Sequence, residues 1–266
     1  MMIKLLNSNF YRLKKSIYFW VLLIVMFYLG AFIYDNYNPI DTQCFYCDNK
    51  LGDVLFTFTS FICILLPIFT SLFIGTEYSD GGIRYKIIKG HTRTNIYLSN
   101  LLTSIIVCFI YTFVFLISVN IMGFIFGNQI SIPQNIFIIL LVDSIMLNIF
   151  TSSLFTFIAQ TISNKTSSII ISLCAVVWSL MIPTNLQLKI SNSEGFIKKF
   201  YQVILNIIPS GQAYQIIEIA NKRYLDTNIP KIDPTNQYQI LWIYSLCLSI
   251  IISLYGIYLL NKKELN

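Results

Sequence analysis

Apolar runs of membrane-spanning length recur along this chain, and no other feature leaves it so little freedom. A helix needs about 20 mostly apolar residues to cross the hydrocarbon core of a bilayer. Spans are expected over 16–34, 54–74, 97–126, 136–162, 168–182 and 240–260. Only 11% of the 266 residues are charged, against about 25% in a soluble domain. So few charges cannot clothe a surface that faces water, and lipid must cover much of it. Nearly all the length goes into spans and short connectors, so no stretch is both long and polar enough for a soluble catalytic domain. The expected fold is all-α, a polytopic membrane protein with six transmembrane helices forming one domain over 1–266.

The first run follows Lys4, Arg12, Lys14 and Lys15. It is longer than a signal-peptide core and no small-residue cleavage pattern follows it, so it reads as a retained span. Ile3, Leu6, Phe10 and Leu13 recur at helical spacing among those cations, which predicts an interfacial helix over 1–15. Pro183, a helix breaker, is expected to end the fifth span. An extracellular segment over 184–239 follows. Apolar residues at helical spacing predict one helix there over 194–208, a break at Pro209-Ser210-Gly211, and a second helix over 212–224. Either both lie at the outer interface or they pack on the outer ends of the bundle.

Loop charges set the orientation. With the N-terminus inside, the inside segments hold Lys4, Arg12, Lys14, Lys15, Arg84, Lys86, Lys89, Arg93, Lys165, Lys262 and Lys263, whereas the short outside loops hold only Lys50. Both termini are therefore expected in the cytoplasm. The same rule accounts for the net charge of +6, so no nucleic-acid partner is expected.

The chain has no phosphate-binding loop, no HExxH and no GxSxG. His91 is its single histidine, which excludes a His-rich metal site or a His-based triad within the chain. No enzyme activity, metal or cofactor is expected in it. Cys44 and Cys47 form a CxxC in the first outside loop. A local disulfide in an oxidising exterior, a pair of free thiols and a redox pair are all open readings. Asp143 is the one acid deep in a span, and a carboxylate there is costly unless partnered. It is either a pathway residue or an acid near the outer end of its helix, reached by water or paired with a polar neighbour.

The segment over 76–95, between the second and third spans, is the most informative. Ser79 or Asp80 is placed to cap a short helix. Ile83, Ile87 and Ile88 fall on one face, and Arg84, Lys86 and Lys89 occupy others. Gly90 suits a helix C-terminus, and Thr92 or Thr94 the start of the next helix. The result is a short basic amphipathic helix at the cytoplasmic surface, suited equally to anionic lipid and to a partner protein.

Glu77-Tyr78-Ser79-Asp80-Gly81-Gly82-Ile83-Arg84, then Lys89-Gly90-His91-Thr92-Arg93 and Tyr97-Leu98-Ser99-Asn100, resembles the permease subunits of bacterial ABC exporters of the ABC-2 type. The likeness extends to the six-span topology, the N-terminal basic helix and the helical pair between spans five and six. Ile208-Pro209-Ser210-Gly211-Gln212-Ala213 also resembles a segment of related permeases. Gly82 departs from the pattern, where Thr is common. The resemblance implies a multi-pass protein of the bacterial plasma membrane whose loop over 76–95 is a coupling helix. It implies a second permease, identical or similar, and a separate ABC ATP-binding subunit that carries ATP and Mg. Glu77, Asp80, Arg84, Lys86 and Arg93 are the expected docking residues. Expected cargo is a peptide, lipid-like or drug-like molecule, with antimicrobial peptide export or immunity among the roles. The alternative is a non-transporting immunity or scaffold protein that sequesters a peptide without ATP.

Overall fold

A computed structural model describes residues 2–36, 50–126, 132, 134–162, 164–191, 193, 195–221 and 241–262. Among them there are α-helices and no strand. The helices are α1 (Met2–Lys15), α2 (Ile17–Asn36), α3 (Lys50–Leu55), α4 (Phe58–Ser79), α5 (Gly82–Ile88), α6 (Arg93–Phe126), α7 (Gln134–Thr161), α8 (Lys165–Ser191), α9 (Gly195–Ile207), α10 (Pro209–Asn221) and α11 (Leu241–Lys262). Six segments are long and apolar enough to cross a membrane: α2, α3 with α4, α6, α7, α8 and α11. Ile24, Tyr28, Trp178, Ile251 and Leu254 lie among the many large apolar side chains left exposed on them. Apolar exposure on that scale fits a lipid environment and not water.

The spans alternate in direction. One end of the bundle gathers the end of α1, the ends of α4, α7 and α11, and the starts of α6 and α8. Arg12 pairs with Glu77, Tyr78 reaches the Gln160 carbonyl, Gly75 abuts Lys165 and Arg93 binds carbonyls of α11. We call this the basic end. At the far end Tyr34 stacks on Phe126 with ring centroids 5.9 Å apart, and Leu51 packs against Gly123.

α7 is the central helix, packed by α4, α6, α8, α10 and α11. Both α7 and its main neighbour α11 bury small residues, which lets helices approach closely where no water drives them together. Ser144, Thr151, Ser152 and Ala159 are buried on α7, and Ser245, Ser249 and Gly256 on α11. A Cβ at Gly256 would stand 2.4 Å from the Tyr97 hydroxyl, so only glycine admits that ring.

Three expectations need correction. The fifth span does not end at Pro183, because α8 runs through it to Ser191. A spanning helix tolerates proline where neighbours and side chains satisfy the disturbed turn. Just past the proline, Thr184 Oγ1 and Asn185 Nδ2 both donate back to the Met181 carbonyl, at 3.2 and 2.9 Å. The second span is not one helix from 54. A tight turn at Phe56 and Thr57 separates α3 from α4, held by Thr57 Oγ1 on the Val54 carbonyl at 2.7 Å and Thr59 Oγ1 on the Phe56 carbonyl at 2.8 Å. Hydroxyls that bond the preceding turn compete with the helix ladder. The inward face of α1 is also shifted. Leu5, Asn9 and Leu13 are buried while Ile3 is exposed, so a polar Asn sits where the periodicity put Phe10.

The helical pair after α8 is present, but its break is narrower than expected. Only Ile208 separates α9 from α10, and Pro209 opens α10, where its missing N–H costs nothing. A Cβ at Gly211 would lie 2.3 Å from the Leu205 carbonyl oxygen, so glycine permits this close fold-back. The two helices differ in burial. Ala213, Ile216 and Ile219 of α10 join the hydrophobic core, whereas Phe196, Ile197 and Phe200 of α9 stand exposed. Residues 226–236, and Cys44 with Cys47, lie outside the described residues.

Candidate functional site

The basic end holds a buried ionic cluster assembled from four helices. Glu77 lies in the last turn of α4 and is 2% exposed. Its Oε2 takes Arg12 Nη1 of α1 at 3.1 Å, and its Oε1 pairs with Lys86 Nζ of α5. Asn100 Nδ2 of α6 donates to Oε2 at 3.2 Å. One carboxylate thus ties α1, α5 and α6 to α4.

Two amides close the network. Lys86 Nζ donates to Asn9 Oδ1 at 3.0 Å. Asn9 Nδ2 then donates to Asn100 Oδ1 at 2.9 Å and Thr103 Oγ1 at 3.3 Å. Each amide has one workable orientation. Turning Asn9 over would set its NH₂ against an ammonium, and turning Asn100 over would set its oxygen against a carboxylate. Arg12 keeps 30% of its side chain exposed and bonds the Phe73 carbonyl at 3.1 Å, with its guanidinium 4.7 Å from the Phe73 ring centre. The acid therefore has two cations, one sealed inside and one venting toward the surface. A buried ion pair resists separation, because removing one partner strands a charge at a cost of about 3–5 kcal/mol.

Local backbone explains how α5 reaches this position. Asp80 ends α4, with its N–H on the Thr76 carbonyl. It does not cap α5, as the sequence led us to expect. That role falls to Gly81, in the left-handed region at φ 68° with no side-chain cap, a conformation that favours glycine. Gly82 lies over Glu77, where an added Cβ would meet Glu77 Cγ at 3.2 Å. The departure from Thr at this position thus makes room for the acid. Gly90 turns the chain out of α5 at φ 85°. Thr92 Oγ1 accepts the Asn95 N–H at 3.4 Å at the start of α6.

The five residues expected at a docking surface divide. Asp80 and Arg84 are exposed. Glu77 and Lys86 are buried and face each other inside the chain, so they have no surface to present. Arg93 is partly buried and donates from Nη1 to the carbonyls of Leu260 and Asn261, at 3.2 and 2.9 Å. It neutralises the carbonyl-rich end of α11. Ile88, grouped by periodicity with the buried Ile83, is 82% exposed. The outward face of α5 is Arg84, Tyr85, Ile88 and Lys89, with Lys89 Nζ 4.3 Å from the Tyr85 ring centre. Sequence reasoning missed Asn9, Asn100, Tyr85 and Ile88. The available signals were a lone Asn in the apolar stripe of α1 and the i, i+3 relation of Ile83 to Lys86.

A second buried acid lies elsewhere. Asp143 of α7 is 1% exposed. The Trp242 backbone N–H of α11 faces it, yet neither carboxylate oxygen makes a well-formed hydrogen bond. Among the described residues no cation pairs with it. The expectation of an acid reached by water does not hold for this burial. No group of His, Cys, Asp and Glu suited to a metal ion occurs among the described residues.

No protein-family model matches the chain, and none of the curated proteins matches it in sequence.

Proposed function

We propose that this chain is the membrane subunit of an ATP-driven exporter of the ABC-2 permease type, with α5 as its coupling helix. The observation that supports this most is the pairing of two opposite faces on α5. Lys86 roots the helix through Glu77 to α1, α4 and α6, while Arg84, Tyr85, Ile88 and Lys89 are left free on the other side. A helix built in this way transmits force. A push on its outer face moves the ends of two spans and α1 as one body, the kind of rigid-body coupling that interfaces carry.

In this reading the basic end faces the cytoplasm of a bacterial cell and both termini lie there. The distribution of Lys and Arg supports it. α1 lies in the inner interface. α9 and α10 form an outer pair, with the exposed aromatics of α9 set in the outer interface. A second permease completes the path, and a partner ATP-binding subunit hydrolyses ATP. Cargo is a peptide, lipid-like or drug-like molecule.

The test is co-expression with the Walker-motif ATPase encoded nearest to this chain. A complex that survives affinity purification, and that is lost in the Arg84→Glu, Lys89→Glu double variant while the variant keeps its thermal midpoint, is the expected result. A chain that purifies alone, or a complex indifferent to both substitutions, overturns the reading.

A further inference from the structure

A cavity of about 300 Å³ opens at the basic end, between the last turns of α7 and α11. Its lining is Gln160, Thr161, Gly256, Leu259, Leu260 and Lys262. Most of that surface is aliphatic or bare backbone, with an amide, a hydroxyl and one ammonium added. No acid lines it. The carbonyls of Leu260 and Asn261, which would otherwise make this helix end negative, are covered by the Arg93 guanidinium at 3.2 and 2.9 Å. Arg93 and Lys262 thus bring positive charge to the mouth, where the C-termini of two helices converge.

The seam above the cavity is aromatic. Phe157 and Tyr255 sit one turn deeper on α7 and α11, with ring centroids 5.8 Å apart. Tyr255 and Tyr258 stack at 6.5 Å and are 55% and 59% exposed. Exposed tyrosines near the ends of spanning helices mark the level of the lipid headgroups. A cation, a polar pair and an aliphatic floor thus lie beside an aromatic wall that begins one turn deeper.

We propose that this cavity binds one anionic phospholipid, with its phosphate at Lys262 and its glycerol region at Gln160 and Thr161. At about 300 Å³ the site is at the small end of ligand pockets. It takes a headgroup and the root of an acyl chain, and the chains continue over Tyr255 and Tyr258. A free phosphate would leave Leu259, Leu260 and Gly256 unused, so the apolar floor selects lipid over a soluble anion. A zwitterionic lipid brings its own cation, which Lys262 and Arg93 oppose. The inference is independent of whether the chain exports anything.

The experiment uses the full chain in a neutral detergent. It is titrated with dioleoyl phosphatidylglycerol, dioleoyl phosphatidylcholine or soluble glycerol phosphate, and bound lipid is read by native mass spectrometry beside the thermal midpoint. Phosphatidylglycerol should bind more tightly than phosphatidylcholine. Lys262→Gln should weaken phosphatidylglycerol about fivefold and leave phosphatidylcholine unchanged. Lys199→Gln, on the exposed side of α9, should change neither. Thr161→Trp, which fills the cavity, should weaken phosphatidylglycerol while the fold, read by circular dichroism, stays intact. Equal binding of the two lipids by the unaltered chain overturns the proposal. So does an equal loss in both lysine variants, which would mean diffuse charge attraction. Glycerol phosphate that raises the midpoint as far as phosphatidylglycerol also overturns it, in favour of a free-anion site.

Discussion

Glu77 and Asp143 are both carboxylates with almost no exposure, 2% and 1%, yet their surroundings are opposite. Glu77 has two cations and an amide on its oxygens, drawn from three other helices. Asp143 has a backbone N–H facing it and no well-formed hydrogen bond. The partnered acid sits where four helices meet and are tied to one another. The other sits between α7 and α11, facing the Trp242 backbone, with no cation paired to it among the described residues. Burial alone therefore does not define a site. The number and charge of the partners decide whether a buried acid holds a structure together or strains it.

The largest effect should come from breaking the partnered acid. Glu77→Gln leaves the Lys86 ammonium sealed in the chain without a counter-charge, and stability should fall by about 3–5 kcal/mol. Denaturation in detergent, followed by tryptophan fluorescence, measures it. The Glu77→Gln, Lys86→Met double variant should recover much of the loss, because Arg12 can still reach water. A double variant as unstable as the single one would mean that the cluster is not held by its charges. A milder disturbance is Gly82→Thr, which adds a branched side chain beside the acid. Its side chain would crowd Glu77 Cγ, 3.2 Å from an added Cβ. A cost of about 1–3 kcal/mol is expected from overpacking, and an unchanged midpoint would mean that the acid has room to move.

The same contrast separates what the sequence revealed from what it hid. Span number and approximate position were legible because hydropathy acts over twenty residues at once. The short helix over 82–88 was legible too, from its apolar spacing and from Gly90 at its end, although its start was read from Ser79 or Asp80 and not from Gly81. Its facing was not. With Ile83, Lys86 and Ile88 in one short stretch, periodicity favours burying both isoleucines, and only the Glu77 carboxylate reverses the choice for Lys86 and Ile88. That acid lies on a different helix, so the decisive partner is tertiary and leaves no local trace. Asn9 shows the same limit, since its inward position depends on Asn100 and Thr103, some ninety positions away. Pro183 failed differently. The rule that ends helices at proline comes from chains in water, and α8, a helix of spanning length, carries Pro183 through to Ser191.

Replacing the isolated acid should act in the opposite direction to Glu77→Gln. Asp143→Asn keeps the shape and removes an acid that no cation among the described residues offsets, so stability should rise by about 1 kcal/mol or hold level. A fall comparable to that of Glu77→Gln would reveal a cation partner and end the contrast. Under the exporter proposal, a rise in stability together with lost transport would instead make Asp143 a working residue of the pathway, kept at a cost to the fold.

The smallest expected change tests the contrast within α5 itself. Arg84 and Lys86 lie two positions apart with the same charge sign, but only Lys86 is inside. Arg84→Gln removes an exposed charge that takes no part in the buried cluster, so stability should stay within about 0.5 kcal/mol of the unaltered chain. Under the exporter proposal its effect falls elsewhere, on the affinity of the co-purified ATPase, read by pull-down at rising salt. Lys86→Gln should show the reverse pattern, with stability lost because Glu77 then keeps Arg12 as its one cation. If the two variants behave alike in both measurements, the outer and inner faces of α5 are not separate in function, and the helix loses its claim to be a lever.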